Sequence, residues 1–242
     1  GGFPPKNLHS FLRVYHPSQP QHSVRAKITK AINKKGQFSL KILKATSPFK
    51  IDTQCFGAFD HPGYEIKKSI IHTRVADNLI GVCIILSTLE RLNQKQKRHF
   101  LGIFTTAEET GFKGTLGFLK DKTLPKNSSG ICLEASRTLP GALIGHGAVI
   151  RLGDRKTVFS NSVISFLDAA AAHLKKNKKL NFQRKLMDGG TCEATALNLS
   201  QIHCGGLAIP LGNYHNQKKN GKPGPEFVSL YDVETAVALC SH

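Results

Sequence analysis

The chain has no tryptophan, one methionine (Met187), and only 7% aromatic residues in 242. Sequence-tolerant binding of single-stranded nucleic acid needs aromatic platforms interleaved with cations, and no such pattern occurs. Acids are also scarce: 16 Asp and Glu stand against 34 Lys and Arg, a formal net charge of +18. The basic runs are dispersed at 33–36, 95–99, 175–179 and 216–222, which reads as a charged, solvated shell. No specific nucleic-acid partner is expected. The longest apolar stretch, 79–86, falls well short of the roughly 20 residues that cross a bilayer, so no membrane partner is expected. No signal-peptide pattern opens the sequence. With Met187 the only methionine, the start is expected not to be the native one, which leaves a lost targeting segment open. None of the six cysteines forms a Cys-x-x-Cys pair. Most sit in apolar runs, the pattern of buried free thiols in a reducing, cytoplasmic compartment.

What is present is alternation. Residues 23–31 and 37–45 alternate apolar and polar around a Lys-Lys-Gly turn and predict a hairpin. A strand is expected over 49–59, ending at the turn Asp60-His61-Pro62-Gly63. From Asn78 the pattern becomes helical and mostly buried. Then follow a short buried strand over 99–106, a helix from Gly111, a strand over 129–135 and a helix over 163–177. A strand at 205–215 and a closing helix from Asp232, a plausible N-cap, complete the chain. Strands alternating with helices predict an α/β fold with a mixed, largely parallel central sheet flanked by helices. No linker divides it, so residues 1–242 are expected to form one catalytic domain.

Because acids are few, their placement is informative. Asp60, Asp77, Glu108, Glu109 and Glu134, together with His215, all fall at or just past expected strand ends, where open α/β sheets hold ligands. A single strand-end acid is ordinarily a cap or a solvated turn, and a lone histidine is ordinarily structural. Carboxylates gathered in one cleft, however, repel and must bind protons, cationic side chains or a metal. A mixed carboxylate and imidazole set suits Zn²⁺, or less selectively Mn²⁺ or Co²⁺.

In order and spacing the chain resembles the di-zinc aminopeptidase superfamily, which includes the bacterial leucyl, glutamyl and tetrahedral aminopeptidases. Val75-Ala-Asp-Asn-Leu-Ile-Gly81 is similar to the family's Asp-Asp/Asn-x-x-Gly segment. Ala107-Glu-Glu-Thr-Gly-Phe-Lys-Gly-Thr115 is similar to its Glu-Glu-x-Gly-x-x-Gly segment. Glu134 ends a strand as a ligand acid does, and Gly212-Asn-Tyr-His-Asn216 before the last helix matches the terminal ligand histidine. The likeness spans about residues 50–240 and implies a zinc-exopeptidase-like fold. It implies Glu108 as general base and Asp77, Glu109, Glu134 and His215 as ligands of one or two zinc ions, Asp77 bridging where there are two. Peptides would be the substrate, cut at the N-terminal residue; assembly into an oligomer is compatible with it. His146, between Gly145 and Gly147, and Cys192, in a loop similar to the family's Gly-Gly-Thr-Asp-Ala, are expected near substrate. Asp60 and His61 are expected to brace the site, and His72 to support Asp77.

Three departures bear on activity. Ala58 stands where the family's His-x-Asp motif places a ligand histidine, so one metal position lacks a ligand unless His61 reaches in. Residues 61–76 leave no room for the domain that tetrahedral aminopeptidases insert there. Cys192 replaces the loop aspartate. Aminopeptidase activity is therefore weighed against a carboxypeptidase or deacylase on the same scaffold, and against a catalytically impaired relative that binds peptide.

Overall fold

The computed structural model describes residues 11–31, 38–43 and 47–242. The chain divides into two compact units. One takes the chain up to Glu65 together with His72–Val75 and Asn213–Glu226; the other takes Ile66–Ile71, Ala76–Gly212 and Phe227–His242.

The first unit carries an antiparallel sheet of β1 (Phe11–Tyr15), β2 (Val24–Ala31), β3 (Phe38–Ile42) and β4 (Phe56–Phe59), in the order β3-β2-β1-β4. Side chains alternate faces along a strand. Val24, Ala26 and Ile28 are accordingly buried, while Arg25 and Lys27 point outward. The expected β2–β3 hairpin is present as an antiparallel pair, and its turn lies outside the described residues. The strand expected over 49–59 is confined to Phe56–Phe59. Asp52 turns the chain before it by accepting from the Gln54 N–H at 2.9 Å, an Asx turn that stops an extended ladder.

The second unit is built on β7 (Gly130–Arg137), β8 (Val149–Arg151), β9 (Gln183–Lys185) and β10 (Cys204–Leu211), in the order β7-β10-β8-β9. β10 runs parallel to β7 and antiparallel to β8, and β8 runs parallel to β9. Every residue of β10 is buried, as a central strand covered on both faces requires. Helix α4 (Asn161–Lys178) buries Val163, Leu167, Ala170, Ala171 and Leu174, a stripe at helical spacing. That stripe packs with Ile150, Leu207 and Leu239, the last from α6 (Leu230–Cys240). Helix α1 (Leu79–Arg91) buries Ile80, Ile84 and Thr88 but exposes Leu79 and Leu86, so it is less buried than its composition predicts. Short helices α2 (Gln94–Lys97), α3 (Lys113–Lys120) and α5 (Glu193–Leu199) complete the helices. A third sheet holds β5 (Tyr64–Lys67), β6 (Ile70–Thr73) and β11 (Glu226–Ser229), in the order β11-β6-β5.

Two expectations fail. Residues 99–106 are not a strand. Leu101 and Phe104 are 59% and 53% exposed, and the segment passes so close to α1 at Gly102 that a Cβ there would lie 2.6 Å from Ile85. Helix contact, not a ladder, holds this run. Nor does Asp232 cap α6. Ser229 occupies the N-cap position without a side-chain capping bond, and buried Asp232 instead accepts from the Gly145 and Gly147 N–H groups at 2.8 and 2.7 Å. The fold is therefore mixed α/β, with a sheet that is only partly parallel.

Candidate active site

The paired glutamates lie in a single 3₁₀ turn, Glu108–Thr110, entered through Ala107 (φ 59°) and left through Gly111 (φ 96°). At φ 96° Gly111 lies beyond the narrow left-handed region that Ala107 occupies, where a side chain is disfavoured. The turn is locked by the Glu108 carbonyl, which accepts from the Gly111 and Phe112 N–H groups at 3.0 Å each, and by Gly114 N–H donating to the Thr106 carbonyl at 3.0 Å. In a 3₁₀ turn successive side chains point about 120° apart. Adjacent glutamates thus serve different neighbours. Glu109 brings a carboxylate oxygen within 4.8 Å of one from Asp77, while Glu108 does the same with Glu134 and Glu193.

Asp77 precedes α1 through a cis peptide bond to Asn78. The Asn78 side chain caps α1 by accepting from the Gly81 N–H at 3.1 Å and donates to the Leu133 carbonyl at 2.6 Å. One asparagine therefore fixes the start of α1 beside β7, one residue from Glu134. At the far side of Glu134, the Cys132 Sγ lies 3.7 Å from Glu134 Oε1 and 3.4 Å from Glu193 Oε2, and Thr105 Oγ1 donates to Glu193 Oε1 at 3.0 Å. Glu193 was missed from the sequence. Its only signal was position: it opens α5 directly after Cys192, in the loop whose family likeness drew attention to the cysteine alone.

The electrostatics follow from this crowding. Burial, then the charges of Glu193 and Glu109, push the Glu108 carboxyl up to about 7. Burial, followed by Cys192 and Glu193, pushes Glu134 well above the carboxylate range, against the pull of Arg151. Acids this close must share protons or a cation. Oxygen-rich groups of this kind fit a divalent cation, so the residues present suit a metal-dependent chemistry.

The remaining predicted residues are placed as follows. Cys192 is 1% exposed and turned toward Asp154, with its Sγ 3.9 Å from Asp154 Oδ2. His146 is exposed, on the loop whose flanking glycines bind Asp232. In the first unit, His215 lies in the 3₁₀ turn Tyr214–Asn216 and stacks on Tyr214 at 3.9 Å. Asn213 and Asn216 hold that loop by donating to the carbonyls of Pro225 at 2.7 Å and Arg74 at 3.0 Å. Ala58 lies opposite Arg13 in the β1–β4 ladder. Asp60 binds Arg13 Nε at 2.8 Å and Arg25 Nε at 2.6 Å. Burial opposes its charge, but the two guanidiniums hold its carboxyl below the usual range. His61 stacks on Phe59, and burial, with Lys218 and Arg74 nearby, lowers its pKa against the pull of Asp60.

The profile of the M42 glutamyl aminopeptidase family matches residues 44–239. This chain belongs to that family. The M42 chain is a metal-dependent peptidase, an aminopeptidase, as its motif order led one to expect. Among curated proteins no sequence match was found. Solved structures agree on the fold. An aminopeptidase of the archaeon Desulfurococcus kamchatkensis matches at 18% identity and TM-score 0.75, covering 100% of this chain and 70% of that one. The Pyrococcus horikoshii TET1 peptidase, described as assembling into a tetrahedron or a large octahedral shell, matches at 19% and TM-score 0.73, covering 100% and 73%. A TET aminopeptidase from a marine-sediment thaumarchaeote matches at 16% and 0.75, covering 100% and 72%. No described helix of the M42 chain is long and apolar enough to cross a membrane.

Proposed function

We propose that Asp77, Glu109 and His215 hold a catalytic zinc ion in this M42 aminopeptidase and that Glu108 is its proton shuttle. Three protein ligands with a fourth position left for water is the usual arrangement of catalytic zinc. When bound, such an ion supplies Lewis acidity to the scissile carbonyl and to the attacking water. Glu108 takes the proton of that water and later delivers it to the leaving amine. Glu134 contributes to a second metal position, which Ala58 leaves one imidazole short. The substrates are peptides that lose their N-terminal residue.

The observation that carries this reading is the division of labour in the 3₁₀ turn. Glu109 is directed to Asp77 while Glu108 is directed to a carboxyl-rich neighbourhood that raises its proton affinity to about 7. A base poised near the working pH transfers protons most efficiently. The test is Glu108→Gln assayed on aminoacyl-p-nitroanilides with metal content measured in parallel. The expected result is a fall in kcat of about 10² to 10⁴-fold with metal content unchanged. Full retained activity would remove Glu108 from the mechanism.

A further inference from the structure

A set of sulfur and oxygen donors lies beside the carboxylates and is not explained by the proposed zinc at Asp77 and Glu109. Cys132 and Glu134 are two apart on β7 and therefore share a face of the strand. Cys192 and Glu193 are consecutive at the start of α5. Cys132 Sγ, Cys192 Sγ and a Glu134 oxygen all lie within 4.8 Å of one another. The Cys132 Sγ is 3.7 Å from Glu134 Oε1 and 3.4 Å from Glu193 Oε2. For a tetrahedral ion with metal–sulfur bonds near 2.3 Å and metal–oxygen bonds near 2.0 Å, the sulfur–oxygen edge is about 3.5 Å. The two sulfur–oxygen separations straddle that value.

We propose that Cys132, Cys192, Glu134 and Glu193 form a second, thiolate-containing site for a thiophilic divalent cation such as Zn²⁺ or Cd²⁺. The surroundings suit it. Cys132 and Cys192, 8% and 1% exposed, belong to an apolar cluster with Phe159, Ile164 and Ala194, which excludes competing water. Arg151, 3% exposed, is near enough for its charge to act on Cys192 and Glu134 and offsets part of the negative charge of four anionic ligands. Soft sulfur ligands select zinc and cadmium over magnesium or manganese. The proposal rests on the reading of Glu134 as a ligand.

The test uses the whole chain, kept reduced and stripped of metal, then titrated with Co²⁺. Sulfur bound to cobalt gives a near-ultraviolet charge-transfer band that carboxylate and imidazole ligands do not give. The expected result is a band that saturates once the thiolate site and the Asp77 site are both filled, and that is lost in Cys192→Ser and in the Cys132→Ser/Cys192→Ser double variant. The band should persist in Cys204→Ser and in Asp77→Asn, the latter losing peptidase activity, so that failure of the thiolate site and failure of the hydrolytic site are read separately. No band in the unaltered chain, or a band that survives the double variant, overturns the proposal. Because a serine variant can fail to fold, X-ray absorption of the unaltered zinc-loaded chain provides a second reading. A sulfur shell near 2.3 Å supports the site, and a shell of nitrogen and oxygen alone overturns it.

Discussion

Asp60 and Glu134 are both strand-associated acids, and the chain treats them oppositely. Asp60 lies between Arg13 and Arg25, which face each other in the β1–β2 ladder, so its countercharge comes from the protein. Glu134 lies among Glu108, Glu193, Cys132 and Cys192, and burial, then Cys192 and Glu193, raise its pKa against the pull of Arg151. An acid whose charge is already balanced has no need of a metal. An acid pressed against other acids does, and that contrast separates a bracing residue from a ligand more sharply than the position of either in the sequence.

The comparison breaks most visibly in catalysis. Glu108→Gln should lower kcat by about 10² to 10⁴-fold, whereas Asp60→Asn should leave kcat within a factor of a few; steady-state assays of both variants check this. Metal comes next. A ligand at 1,000 times its Kd stabilises the folded state by about 4 kcal/mol, so zinc should raise Tm by on the order of 10 °C over the chelated protein, measured by calorimetry. Asp60→Asn should not reduce that increment.

Proton linkage sharpens the contrast, because the two regions have opposite signs. In the folded, metal-free protein Glu108 titrates at about 7 against an ordinary 4.5. Its protonated form therefore favours folding at low pH, and this contribution is lost as pH rises from 4.5 through 7. Asp60, held below its ordinary 3.8, contributes stability above that value and loses it as pH falls through the lowered pKa. Melting of the metal-free protein should decline between pH 4.5 and 7, and saturating zinc should remove the decline. The smallest effect is Asp60→Asn at neutral pH, a loss of about 1 kcal/mol in chemical denaturation, since partly exposed ion pairs are worth little.

Much of this was readable beforehand. Helix α4, strand β10 and the β2–β3 pair announce themselves by local periodicity, and the fold class follows from their alternation. The acids Asp77, Glu108, Glu109 and Glu134 stand out by motif order; of the strand ends expected beside them, the one before Glu108 does not form and Glu134 lies inside β7 rather than at its end. Other features depended on distant partners. The run 99–106 is apolar enough for a strand, but its place is set by Ile85 on α1. Asp232 carries the composition of a cap, yet it is claimed by two glycine N–H groups more than eighty residues away. Glu193 has only its position after Cys192 as a local signal; its neighbours Cys132 and Glu134 come from β7 and Glu108 from the 3₁₀ turn.

The most direct test of the central claim is metal analysis of the purified chain and of Asp77→Asn, with peptidase activity measured on the same samples. The account predicts at least one tightly held ion per chain in the unaltered protein, with hydrolysis and an ion lost together in the variant. Well under one ion per chain alongside full activity, or an Asp77→Asn chain that still hydrolyses peptides at the unaltered rate, would contradict it.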